Sequence, residues 1–369
     1  MEFKKVKLQD IVTILGDGIH GTPKYTENGE YYFINGNNLA NGKIIIKSDT
    51  KTVDYEEYKK YKKDLNDRTL LVSINGTLGN VAVYNGEKCI LGKSACYFNI
   101  KENVDKQYIQ YILYSKEFQK YIQDYSTGTT IKNMSLKAMR EYEFILPEIE
   151  VQNKITKILS GIDKKIELNN HINDNLYNQA VAIYKDRFQN TNQEICSIGD
   201  YLVPRRGKNL LSRDAILGDV PVIAGGLEPA TYHNASNTKA PVITISASGA
   251  NAGYINLWNV PVWSSDSSYI DNDITENVYF WYVTLKTRQK EIFDAQTGSA
   301  QPHIYPQHIA ELPINKLENE DVFKYEKQVE PLFKMIGKNK EENKYLEQLR
   351  DTLLPKLMNG EIDLDKIEI

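Results

Sequence analysis

With 369 residues, 41% of them apolar and 25% charged, the chain has room for two or three soluble domains, each with a real core. A formal net charge of −4 excludes a protein coated in basic residues, so any nucleic-acid contact is expected from local basic patches or shared with a partner. No apolar run approaches a membrane span and MEFKKVKLQD lacks a signal-peptide core, while Cys89, Cys96 and Cys196 are too scattered for a disulfide framework or a zinc site; a reducing cytoplasm is expected.

The first half opens on VKLQDIV (6–12), followed by a turn-rich loop, DGIHGTPKY (17–25). Strand-like runs follow at 69–74 (TLLVSI), 81–84 (VAVY) and 95–100 (ACYFNI), and the spacing of 105–125 predicts a helix. The loop TGTTIKN (127–133) then leads to a Leu-Pro stop at Pro147. Apolar residues at Ile155, Ile158, Ile162, Ile166, Ile172 and Leu176 recur every three to four positions over 151–188, one face of a helix close to 60 Å long. Such a helix needs a long partner.

The second half repeats this order. CSIGDYL (196–202) matches VKLQDIV, with Leu8 and Asp10 on Ile198 and Asp200. PRRGKNLL (204–211) stands where DGIHGTPKY stands, SASGANAG (246–253) matches SINGTLGN (73–80), and TGSAQPH (297–303) matches TGTTIKN. The chain therefore reads as a duplication with a period of about 170–190 residues. A second long pattern, with Leu332, Ile336, Leu346, Leu349 and Leu353, supplies the partner helix. Laying Leu176 on Leu349 aligns Leu159 with Leu332 and Ile172 with Tyr345, but sets Ile166 on Asn339; Pro331 predicts a start or a kink, and the polar GKNKEENK middle weakens the seam. The expected domains are 1–147, a central helix at 148–190, 191–313, and a C-terminal helix and tail at 314–369. Charge is uneven, about +3 over 1–147 and about −4 over 191–313.

Catalytic signals fail on inspection. GEKCILGKS (86–94) has one residue too many for a phosphate-binding loop and runs into a strand. The five histidines show no metal-ligand spacing, and there is no nucleophile elbow or methyl-donor-binding glycine turn. The loops carry more. Glycines let backbone approach a surface closely, and Arg, Lys, Asn, Gln, Ser, Thr and His can meet phosphates or base edges. That selects His20, Thr22, Lys24, Asn75, Thr129, Lys132 and Asn133 in the first half, and Arg205, Arg206, Lys208, Ser248, Asn251, Ser299, Gln301 and His303 in the second.

On DGIHGTPKY, LPEIEVQNKITKILSGIDKKIELNN (146–170), SASGANAG, TGSAQPHI and LRDTLLPKLMNGEIDL (349–364), the chain resembles the specificity subunit of type I restriction–modification systems over essentially its whole length. The resemblance implies an α+β fold: two tandem target-recognition domains separated by two long antiparallel helices forming a coiled coil, pseudo-twofold symmetric. It implies a DNA-binding, non-catalytic subunit that reads an asymmetric, two-part double-stranded DNA site with a spacer set by the helices. Two methyltransferase subunits would bring S-adenosylmethionine for adenine methylation, and restriction subunits, where present, ATP and Mg²⁺. The second half departs from the family in lacking a counterpart of Pro147–Gln152 and in being acidic. The rival readings are a coiled-coil adaptor without sequence preference and a self-contained DNA-modifying enzyme.

Overall fold

The computed structural model describes residues 4–128, 132–189, 194–298 and 301–364. The chain divides into two compact units, Met1–Lys164 with Leu346–Ile369, and Lys165–Tyr345. Each unit thus holds one globular half together with part of both long helices.

In the first unit, β1 (Lys4–Lys7), β2 (Val12–Asp17), β3 (Tyr31–Ile34), the short hairpin β4 (Leu39–Ala40) and β5 (Lys43–Ile44), and β6 (Thr52–Val53) precede α1 (Tyr55–Tyr61). Then come β7 (Thr69–Ser73), β8 (Val81–Val83), β9 (Cys89–Leu91), β10 (Ala95–Ile100), α2 (Lys106–Tyr114), α3 (Lys116–Asp124), α4 (Leu136–Glu141), β11 (Glu143–Leu146) and α5 (Ile149–Phe188). The main sheet has the order β2-β10-β7-β8, and a second runs β6-β3-β9. The sequence ACYFNI is apolar almost throughout because β10 is buried on both faces. Cys96, Phe98 and Ile100 face a core shared with α2 and α3, whereas Ala95 and Tyr97 face the β3–β9 layer, the two-residue alternation of a strand. Ile155 and Leu159 of α5 enter the first of these cores beside Leu354, Leu357 and Met358.

The second unit repeats the plan with β12 (Ile195–Ser197), β13 (Arg205–Arg206), β14 (Val220–Ile223), β15 (Thr231–His233), β16 (Val242–Ser246), β17 (Ile255–Trp258), β18 (Trp263–Ser264) and β19 (Ser267–Asp271). Next are α6 (Val278–Thr287), α7 (Gln289–Asp294), α8 (Pro306–Ala310), β20 (Pro313–Asn315) and α9 (Asn319–Met358). Its sheets, β13-β19-β16-β17 and β15-β14-β18, have the topology of the first unit's. The opening turns match in detail. Lys7 N–H donates to Asp10 Oδ2 (2.9 Å) as Ser197 N–H does to Asp200 Oδ2 (2.8 Å), and Leu8 and Ile198 are both fully buried. Helix α1 is peculiar to the first unit, since β15 passes to β16 through 234–241 without a helix. The helix expected as one piece over 105–125 is two, and its second-unit counterpart is divided likewise. Ser115 ends α2 and caps α3 by accepting from Phe118 N–H (3.2 Å), and Arg288 separates α6 from α7.

The long helices correct three expectations. Of the start or kink expected at Pro331, the start is corrected: helix α9 begins at Asn319 and carries Pro331, exposed, in its interior. Ile155 and Ile336 are buried as expected and Ile158, Ile162, Ile166, Leu176, Leu332, Leu346 and Leu353 half-buried, but Ile172 (37%) and Leu349 (47%) are exposed. The middle seam belongs instead to buried asparagines of the second unit. Asn169 Nδ2 donates to Asn343 Oδ1 (2.8 Å), Asn343 Nδ2 to Asn170 Oδ1 (2.9 Å) and Asn339 Nδ2 to Asn173 Oδ1 (2.8 Å), an antiparallel register. With Asn173 on the seam, Ile172 is turned about 100° away. The buried positions also reset the repeat: Ile155 and Tyr325, Leu159 and Val329, Asn169 and Asn339, Asn173 and Asn343 correspond, each pair 170 apart, in place of the Leu176-on-Leu349 alignment.

Candidate nucleic-acid interface

In each unit three segments meet at one end of the main sheet. In the first, Asp17 ends β2 opposite Cys96, and Ser73 ends β7 opposite Ala95. The loop after β7 is clamped to the 127–133 loop through backbone. Gly76 N–H donates to Lys132 O (3.1 Å), Thr127 and Asn133 exchange both backbone bonds (2.9 and 2.8 Å), and Met134 N–H donates to Ile74 O (2.8 Å). The buried Met134 side chain anchors the clamp from beneath. Gly76 takes a φ of +75° and Gly128 +102°, left-handed conformations that need glycine. The clamp sets Asn75 against Asn133, amide to amide at 3.2 Å, with Lys132 exposed beside them.

The loop after β2 leaves the same sheet end. At Gly18 a Cβ would lie 2.0 Å from Leu91 O, so only glycine lets the chain pass β9 there. Beyond it His20 Nε2 lies 2.8 Å from Asp17 Oδ2, and His20, Thr22 and Lys24 are exposed. The Lys24 N–H donates to Glu57 Oε2 of α1 (3.0 Å), fixing the far side of the loop.

The second unit builds the same clamp from other side chains. Gly249 N–H donates to Pro302 O (3.0 Å), Ile304 N–H to Ala247 O (3.0 Å), and Ser248 bridges His303. Arg206, at the end of β13, reaches Asp266 Oδ1 (2.6 Å), and Ser248 Oγ donates to the other Asp266 oxygen. The structure thus brings Arg206, Ser248 and His303 together, with Tyr305 near-parallel to the His303 ring at 6.0 Å. Arg205, Lys208 and Gln301 are exposed nearby in sequence, with no side-chain partner at this cluster among the described residues. The Asn251 amide is turned to Gly225 O (3.4 Å) and holds its own loop. Thr129 and Ser299 lie outside the described residues.

Four residues of these clusters escaped sequence reasoning, Asp17, Ser94, Asp266 and Tyr305. Asp266 follows Ser265 in a serine-rich run with no motif, and the signal that could have found it is its position just before β19, matching Ser94 before β10. By the same register Arg206 stands where Asp17 stands. One unit therefore offers Asp17, Ser94 and Asn75 where the other offers Arg206, Asp266 and Ser248. The charge reverses at the first of these positions and an acid replaces a hydroxyl at the second.

Burial, with the Asp17 carboxylate nearby, pushes the Cys96 thiol far above its ordinary range, and burial pushes Cys89 up to about 12, so neither offers a thiolate. Among the described residues no cluster of three or more His, Cys, Asp or Glu could hold a metal, and no helix is long and apolar enough to cross a membrane.

Residues 1–178 match the family model described as type I restriction modification DNA specificity domain. The chain is similar to the MjaIX type I restriction enzyme specificity subunit of Methanocaldococcus jannaschii, at 24% identity over 98% of this chain and 94% of that protein. It is also 24% identical to a Mycoplasma pneumoniae protein named as a type I specificity subunit, covering 89% of each. Among solved structures, a type I restriction–modification S subunit from M. genitalium matches with a TM-score of 0.57 at 21% identity, over 97% of this chain and 96% of that one, and shares its fold.

Proposed function

We propose that this chain, which belongs to the DNA specificity subunits of type I restriction–modification systems, uses its two sheet-end loop clusters to read the two parts of an asymmetric double-stranded DNA site. The observation that carries this is the exchange just described: matching backbone clamps present Asp17, Ser94 and Asn75 in one unit and Arg206, Asp266 and Ser248 in the other. Arginine is suited to guanine and to phosphate, a carboxylate to the cytosine amino group, and an amide such as Asn75 or Asn133 to adenine. Two such clusters on one chain call for two different half-sites.

On this reading the chain supplies sequence choice and no chemistry. Two methyltransferase subunits would dock on the helices and bring S-adenosylmethionine, flipping and methylating an adenine in each strand. Restriction subunits, where present, would add Mg²⁺ and ATP. The shortfall of positive charge in the second unit would be made up by backbone contacts from these partners.

The test is genome-wide adenine methylation read with the gene intact, deleted, and with residues 191–313 exchanged for those of a relative. Loss of one two-part motif on deletion, and change of only one part on exchange, is the expected result. An unchanged methylome, together with binding of the assembled complex to duplex DNA without sequence preference, would overturn the reading and favour an adaptor.

A further inference from the structure

We propose that Lys59, Lys60, Lys62 and Lys63, at the end of α1 and just beyond it, form a grip on the DNA phosphate backbone that belongs to the first unit alone. The proposal rests on the DNA-reading function above and names a contact surface outside the loops. In α1, Tyr55, Tyr58 and Tyr61 recur every third residue. The Tyr58 ring stacks on Tyr31 of β3 (centroids 4.0 Å, planes at 16°) and Tyr55 leans on the same ring (6.2 Å). Tyr58 and Tyr61 are half-buried and Tyr55 stands at the exposed edge of that face, while Lys59, Lys60 and Lys62 are exposed and Lys63 half-buried. Among the described residues these four make one ion pair, Lys60 with Glu57 at 3.9 Å, a surface contact of little strength.

The strip adjoins the reading loop. Glu57 of α1 accepts from the Lys24 backbone, and Thr26 N–H donates to Thr52 O (2.9 Å) just before the helix. At seven residues α1 is only about 10 Å long, and the Lys24 contact at Glu57 lies within one or two turns of all four lysines in sequence. Basic residues in a last helical turn ordinarily complement the helix dipole. That accounts for Lys59 and Lys60; it does not call for Lys62 and Lys63 beyond the helix end. In the second unit the corresponding segment, 234–241, has no helix and a single lysine, Lys239, which pairs with Asp273 at 2.7 Å.

The test uses the full chain carrying K59Q, K60Q, K62Q and K63Q, assembled with its methyltransferase partner. Binding to a duplex bearing the methylated motif and to an unrelated duplex is measured across salt concentrations. Each phosphate contact adds roughly 0.9 to the slope of log K against log salt, so the slope should become shallower by about 2–4 on both duplexes, with the methylated motif unchanged. Replacing the same four lysines by arginine should restore it. An unaltered slope, a loss confined to the motif-bearing duplex, or failure of arginine to restore binding would each overturn the proposal. If instead the wild-type complex shows salt-dependent binding without sequence preference, the DNA-reading function fails while the grip stands.

Discussion

The N-terminus of α6 is capped by a carboxylate from another helix, with an unusual consequence for pH. Asn277 makes no side-chain cap, and Glu326 of α9 accepts from Tyr279 N–H (3.1 Å) and Phe280 N–H (2.8 Å) instead. Burial pushes the Glu326 pKa up from 4.5 to about 7, outweighing the two backbone donors that favour its charged form; Glu330 adds to the rise and Lys327 opposes it. The folded state thus holds a proton up to about pH 7 that the unfolded chain releases near its ordinary value. Folding binds that proton in between, so the group's contribution to stability falls as pH rises through this window and levels off above it, opposite to an ion-paired carboxylate. A shift of about 2.5 units corresponds to about 3 kcal/mol across the whole window, of which roughly 2 kcal/mol falls between about pH 5 and pH 7.5. Glutamine keeps one acceptor oxygen for these two N–H groups and cannot titrate, so the bond it loses is a pH-independent offset and only the slope of the difference with pH reports the proton. All three tryptophans, Trp258, Trp263 and Trp281, lie in the second unit, so their fluorescence during urea unfolding of the full chain reports that unit. The wild-type minus E326Q stability difference should fall by roughly 2 kcal/mol from about pH 5 to pH 7.5. A flat difference, or one that rises with pH, would refute the argument.

N343A removes one of two acceptors of the buried Asn169 amide, Glu342 remaining, and the donor to the exposed Asn170, and should cost about 0.5–1.5 kcal/mol in the same fluorescence assay; no measurable loss would mean that water replaces the ladder. At Gly253 the backbone φ is +85° and a Cβ would meet Ile292 Cγ2 at 2.9 Å, so G253A should destabilise the second unit by about 1–3 kcal/mol, and more than G249A, which is strained in backbone but has open space. R206A should relax base preference by about 1–3 kcal/mol in one half-site only, read as discrimination by the assembled complex; uniform weakening on all sequences would make Arg206 a phosphate contact.

What the sequence disclosed and what it hid follow from period and locality. The strands were legible because β7, β10 and β16 are buried on both faces and read as unbroken apolar runs. The duplication was legible because Leu8 with Asp10, and Ile198 with Asp200, make local turns whose chemistry is written in adjacent residues. The helix register was misread because apolar periodicity favours leucines over asparagines, and the seam's centre is an asparagine ladder whose partners lie more than 160 positions away. The proposed reading residues were half legible. Asn75, Asn133, Arg206 and His303 lie in glycine-containing loops, and Tyr305 is only two residues beyond His303, while Asp266 is joined to them only through the sheet.

The same division explains how one scaffold can carry two specificities. The clamps at the sheet ends are made by backbone groups, by left-handed glycines and by Met134 or Ile304 plugged into the core, so the Asp17 side chain, bonded to the exposed His20, does little to hold the fold, whereas Ser94 Oγ accepts from Gly36 N–H (2.8 Å) and donates to Asn35 Oδ1 (3.0 Å). Exchanging them for the second unit's pair, as D17R with S94D, should leave the first unit folded at a cost of about 1 kcal/mol for the lost Ser94–Asn35 bond and change its half-site, with the other half-site untouched in the methylome. Arginine at 17 would release His20 from its carboxylate partner and place a guanidinium opposite a new acid, as Arg206 lies against Asp266 at 2.6 Å. An unchanged motif would show that position 17 does not face bases. Loss of both half-sites, with the first unit unfolded, would show that the clamps depend on these side chains after all, and that specificity here cannot drift independently of the fold.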